Sequence, residues 1–161
     1  MILGLSVGAF TAVHVLISLV AILTGLIVLF GMLRSANWPA LTAIFLATTV
    51  LTSATGFLFH SKAFGPPHAV GGLSLILLAV ALIALYGRGL AGLWRPVYVG
   101  CAVASLYFNV FVLVVQAFGK IAALKVLAPT QTEPPFVLAQ GATLILFVVL
   151  GVFAVRRFRT V

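Results

Sequence analysis

The sequence predicts an all-α integral membrane protein: a bundle of five transmembrane helices, with the N-terminus outside and the C-terminus in the cytoplasm. Three observations carry this reading. Apolar residues make up 64% of the 161 residues and charged residues 6%, against roughly 45–50% and about 25% in soluble domains. Nine Lys or Arg and a single acid cannot furnish a water-facing surface, so a soluble domain, a coiled coil and a disordered chain are excluded. Those charges also divide the chain into five charge-free stretches, 1–33, 35–61, 63–87, 96–119 and 134–155. Each is long enough to cross a hydrocarbon core of about 30 Å once, and too short to cross twice.

The stretches are continuously apolar rather than alternating, as in LSLILLAVALIALY, which selects helices over a barrel. One domain, 1–161, is expected, with helices over about 3–33, 39–60, 68–87, 96–118 and 135–155. The first runs without an internal breaker until Arg34, and Pro39 opens the second. Gly65-Pro66-Pro67 separates the second from the third, because proline removes a helix donor and constrains the residue before it. Gly87-Arg88-Gly89 and Arg95-Pro96 bracket the link to the fourth. The fourth is longer than the bilayer requires, and residues 117–134, with Lys120 and Lys125 on an apolar background, are expected to form an outer cap. The N-terminus lacks a basic residue before Arg34, so a cleaved signal peptide is not expected.

Alternation of five spans sets the sides. Arg34, Arg88, Arg95, Arg156, Arg157 and Arg159 share one side; Lys62, Lys120, Lys125 and Glu133 share the other. The positive-inside rule puts the arginine side in the cytoplasm, consistent with a bacterial inner (plasma) membrane. The net charge of +8 then reflects topology and contact with the lipid bilayer, not nucleic acid. Trp38, Tyr86, Trp94 and Tyr98 beside the arginine links fit interfacial anchoring.

Counting about 20 residues from each arginine-side helix end brings His14, His60 and His68 to one depth, near the outer boundary, on three helices. Neutral imidazole is a frequent ligand of transition metals and of haem iron, and neighbouring helices commonly build such sites. His14, His60 and His68 are therefore the candidate ligands for haem b or a transition metal. Imidazole is also at ease at a membrane boundary, and His60 and His68 flank a turn. His14 lies within TAVHVLISLV with no turn beside it, and intramembrane ionisable residues tend to be functional.

Ser105, Asn109, Gln116 and Lys120 recur at helical spacing on the fourth span, and Thr48, Thr52 and Thr55 do so on the second, with Thr49 and Ser53 beside them. Amides in hydrocarbon are costly unless paired, so Asn109, Gln116 and Gln140 are candidate lining residues of a cofactor site opening outward. The hydroxyls can instead bond back to the carbonyl four residues earlier, or glue helices together.

One acid leaves no carboxylate pair for acid–base work and no Ser-His-Asp triad, and no P-loop is present, which argues against a hydrolase or an ATPase. Gly87 to Gly92 matches GxGxxG in letters but lies in a membrane link without a strand. Cys101 has no partner for an intrachain disulfide. The leading expectation is a small membrane protein with a haem or metal site near the outer face, serving electron transfer or redox support. The alternative is a non-catalytic accessory subunit or assembly factor with a membrane-protein partner, or a homo-oligomer. A binder of quinone or lipid is a further possibility.

Overall fold

A computed structural model describes residues 1–59 and 65–159. Its helices are α1 (Val7–Leu33), α2 (Pro39–Gly56), α3 (Pro66–Leu82), α4 (Trp94–Lys120), α5 (Ala122–Leu127) and α6 (Pro134–Arg157), and a π-helical turn, Ile83–Gly87, extends α3. Among the described residues five segments are long and apolar enough to cross a membrane: α1, α2, α3 with its π turn, α4 and α6. Over those same described residues the protein is all-helical, with the span number and apolarity of an integral membrane protein.

Helix ends follow local chemistry and shift several expected boundaries. The first helix begins at Val7 rather than Leu3. Leu3 and Gly4 both adopt positive φ, Ile2 and Leu5 close a small backbone bridge, and Ser6 Oγ accepts from the Ala9 amide at 3.1 Å. That serine satisfies one of the amides that a helix start leaves without a partner. At the far end Ser35 has φ 55°, and the Ala36 amide returns to the Gly31 carbonyl at 2.8 Å, closing α1 before Pro39 opens α2. α2 stops at Gly56, short of residue 60, where the Phe57 amide bonds Ala54. The break after α4 falls at Ile121, whose extended ψ of 116° turns the chain into the short α5. The expected cap over 117–134 is thus the last turn of α4, then α5, then a loop.

α1 packs against α2, α2 against α3, α3 against α4, and α4 closes back on α1; α6 lies outside this group against α4 and α1. Hydrophobic transfer gives no drive between helices in lipid, so close packing must supply the cohesion. Gly25 is the clearest case. A Cβ there would stand 2.6 Å from Leu106 Cδ1 and 2.7 Å from Phe45 Cε2, so only hydrogen lets α2 and α4 side chains reach the α1 backbone.

The apolar core is not uniform along the bundle. Val28, Leu29 and Met32 of α1, Phe45 and Leu46 of α2, Leu78 and Ala81 of α3, Tyr98, Val99, Ala102, Val103 and Leu106 of α4, and Phe147, Ala154 and Phe158 at the α6 end belong to one buried cluster. It fills the middle and the end marked by Arg34, Arg88 and Arg157. There the Ser35 hydroxyl donates to the Arg157 carbonyl, Tyr98 and Phe158 stack at 6.3 Å, and Arg88 lies 5.3 Å above Trp94. The opposite end, which carries Lys120, Lys125 and Glu133, holds most of the intramembrane polar groups instead.

Candidate functional site

His14 is placed at the lysine end by two turns of α1 above its serine cap. Its half-buried ring packs edge-on to Phe59 at 5.1 Å, and Phe59 in turn meets Phe10 at 5.1 Å. Gly56 leaves room beside it: a Cβ there would come only to 3.9 Å from His14 Cε1. His14 Nδ1 lies 2.8 Å from Thr55 Oγ1.

That contact favours one tautomer. A threonine hydroxyl has one proton, and the Thr55 proton goes to the Leu51 carbonyl at 2.6 Å. With its proton on the Leu51 carbonyl, Thr55 accepts from the imidazole, an arrangement that puts the hydrogen on Nδ1 and the neutral ring's lone pair on Nε2. An imidazole held through Nδ1–H with Nε2 available is the arrangement in which histidine binds metals, the partner of Nδ1 setting ring orientation and basicity.

His68 is used in the opposite sense. The Gly65 amide donates to His68 Nδ1 at 3.2 Å, so the lone pair caps the start of α3 and Nε2 carries the hydrogen. Its ring packs on Phe57 at 5.7 Å. His14 meets Thr55 and Phe59 whereas His68 meets Phe57, so the two imidazoles contact different residues at and just beyond the end of α2. Ligation through His68 Nε2 needs the other tautomer and sacrifices the cap. His60 lies outside the described residues. Among the described residues no group of three His, Cys, Asp or Glu stands close enough to share a metal ion.

The expected polar stripe resolves into separate pairs. Asn109 is buried and donates from Nδ2 to Thr49 Oγ1 at 3.3 Å, linking α4 to α2. Ser53 donates to Ser74 at 3.2 Å, linking α2 to α3. Ser105, Thr48 and Thr49 bond back to carbonyls of their own helices. Gln140 Nε2 donates to the Phe111 carbonyl at 3.2 Å, tying α6 to α4. Gln116 is exposed on α4. Two buried atoms lack a hydrogen-bond partner among the described residues in this half: Thr52 Oγ1, one turn from Thr55, and Gln140 Oε1.

Glu133 serves the loop that precedes α6. Its carboxylate accepts from the Thr130 hydroxyl at 2.7 Å and from the Thr130 and Thr132 amides at 3.2 and 3.1 Å. These bonds, the Thr130 hydroxyl first, hold the carboxyl below the usual carboxylate range. Gln131 Nε2 pins the same loop to the Val115 carbonyl at 2.9 Å.

Sequence reasoning passed over Ser74, Gln131 and the role of Thr55 as partner of His14. Ser74 is a lone hydroxyl in an apolar run, the same signal that singled out His14. Comparison with protein families, curated sequences and solved structures finds no match to this chain.

Proposed function

We propose that the protein holds a redox-active group, haem b, at the lysine end of the bundle, with His14 Nε2 as the iron ligand. The role is electron transfer or support of a larger membrane oxidoreductase. The observation that carries this reading is the His14–Thr55–Leu51 relay, which commits Nδ1–H and leaves the Nε2 lone pair for a ligand. Haem when bound supplies reversible one-electron exchange; the chain binds and orients it. Phe10 and Phe59 provide an apolar wall beside the ring, and the buried Thr52 hydroxyl is one turn away. The apolar core seals the arginine half, which suits a site served from one face better than a path through the membrane. With the arginine end in the cytoplasm, the site faces outward.

The test is an optical spectrum of the full-length protein purified after expression with haem supplied, with elemental analysis for iron, copper and zinc. A Soret band that His14→Ala abolishes is expected. No Soret band and no stoichiometric metal would overturn the reading.

A second reading, an accessory subunit, is favoured by α5. None of its residues is buried, and Val126 is 78% exposed. Exposed apolar side chains beside Lys120 and Lys125 suit an outer docking surface for a partner subunit. This reading expects loss of a partner complex when residues 121–127 are replaced, with little effect of His14→Ala.

A further inference from the structure

At the arginine end, α1 and α6 run side by side and leave an open groove of about 270 Å³ lined by Leu33, Leu150, Phe153 and Arg157. Arg157 is the lining cation, and Arg34 follows the lining Leu33 in sequence; the two arginines share one device. The Arg34 guanidinium lies 4.0 Å above the Phe30 ring, four residues earlier, and Arg157 lies 6.0 Å above Phe153, again four residues earlier. The Ser35 hydroxyl donates to the Arg157 carbonyl and ties the two helix ends together.

A ring beneath a guanidinium steadies the cation without consuming its N–H donors, which remain directed at whatever lies beyond the ring. Both guanidiniums belong to exposed residues, and Arg156 is exposed beside them. The single acid of the chain, Glu133, is at the other end. The groove therefore joins an apolar floor of Leu33, Leu150 and Phe153 to the Arg157 cation, with Arg34 next in sequence to Leu33. Guanidinium groups match phosphate oxygens in geometry as well as charge.

We propose that this groove binds one anionic phospholipid from the leaflet at the arginine end. Part of an acyl chain lies against Leu33, Leu150 and Phe153, and Arg34 with Arg157 takes the headgroup phosphate. A zwitterionic lipid offers the same phosphate but brings an ammonium group into a field of arginines, so net negative charge is what the site selects. The site is separate from His14 and stands or falls without it.

Native mass spectrometry of the full-length protein in detergent, titrated with phosphatidylglycerol or phosphatidylcholine, tests this. One phosphatidylglycerol per chain is expected at concentrations where phosphatidylcholine leaves the protein bare. R34Q/R157Q is expected to weaken that binding roughly tenfold or more, since each arginine near a membrane surface contributes about 1 kcal/mol toward anionic lipid. Leu150→Trp keeps both charges, fills the groove and is expected to weaken binding as well. Arg88→Gln, at the same end but away from the groove, is expected to retain it. Equal retention of the two lipids, unchanged binding in R34Q/R157Q, or full competition by free glycerol phosphate would each overturn the proposal. So would a dimer of this chain that forms in place of the lipid adduct.

Discussion

The hydroxyl of Thr49 joins two helices through one oxygen: it donates to the Phe45 carbonyl at 2.7 Å and accepts from Asn109 Nδ2 at 3.3 Å. The two partners are not equivalent. Thr49→Val removes the acceptor and leaves a buried amide donor without a partner, which costs about 1–2 kcal/mol. Asn109→Leu removes the polar group itself, and Thr49 still has the Phe45 carbonyl, so the loss is under about 1 kcal/mol. Thermal melts in detergent should rank Thr49→Val below Asn109→Leu, and the double variant should sit near Asn109→Leu. Equal losses from the two single variants would mean that the bond contributes only as packing.

In the proposed haem site Thr55 would act on the ligand through His14, a role that can be separated from its packing. Thr55→Ser keeps the hydroxyl, whereas Thr55→Val keeps the shape and loses it. Removing the group that orients a ligating histidine lowers affinity by roughly ten- to a hundredfold. Haem titration followed at the Soret band should show wild-type affinity for Thr55→Ser and a weakened, spectrally shifted complex for Thr55→Val. Equal affinity in both variants would assign Thr55 to helix packing alone.

Much of this was legible in the chain, and the limits have physical causes. Ten charges in a hydrocarbon-rich sequence locate five spans, because each must stay at a boundary. Helix starts were less legible. Ser6 is an ordinary cap residue, yet apolar neighbours on both sides hide it, and the turn at Leu3 and Gly4 depends on φ values that no spacing rule reveals. The face shared by Asn109 and Gln116 was readable from helical period. Which of them turns inward was not, since that depends on the rotation of α4 against α2; Asn109 is buried and Gln116 exposed. His14 stood out as an ionisable residue within a span, but its partner Thr55 is set by the register of α1 on α2, which one sequence does not encode visibly.

Glu133 gives the loop before α6 a pH response. Its carboxyl is held below its ordinary value of 4.5 in the folded chain, so its bonds are fully present above that value and are lost as pH falls through the lower folded value. Amide proton shifts of Thr130 and Thr132 should titrate together, with a midpoint under 4.5. Glu133→Gln should abolish the titration. A midpoint at or above the ordinary value would show that the Thr130 hydroxyl does not favour the charged form.

Gly25 tests where the bundle has no slack. Its missing Cβ makes room for Phe45 and Leu106, so Gly25→Ala should cost about 1–3 kcal/mol by overpacking. Gly100 has no atom within 4 Å of the same position, so Gly100→Ala should be neutral or slightly stabilising. In Gly25→Ala, Phe45→Leu should cost less than in the wild type, the coupling expected of neighbours that compete for one space. Additive losses would place the crowding elsewhere.

The side expected for each end comes from the charge pattern and is open to direct measurement. Ala91, in the link before α4, and Ala123, in α5, are both exposed and are separated by one full span. In a Cys101→Ala background, which removes the one native thiol, Ala123→Cys should react with a membrane-impermeant maleimide in intact bacterial cells. Ala91→Cys should react only after the membrane is opened. This expectation rests on the positive-inside rule, since six arginines mark one side against three lysines on the other. The reverse pattern would turn the protein over and put the His14 end in the cytoplasm. Equal reaction of both sites in intact cells would mean that α4 does not cross.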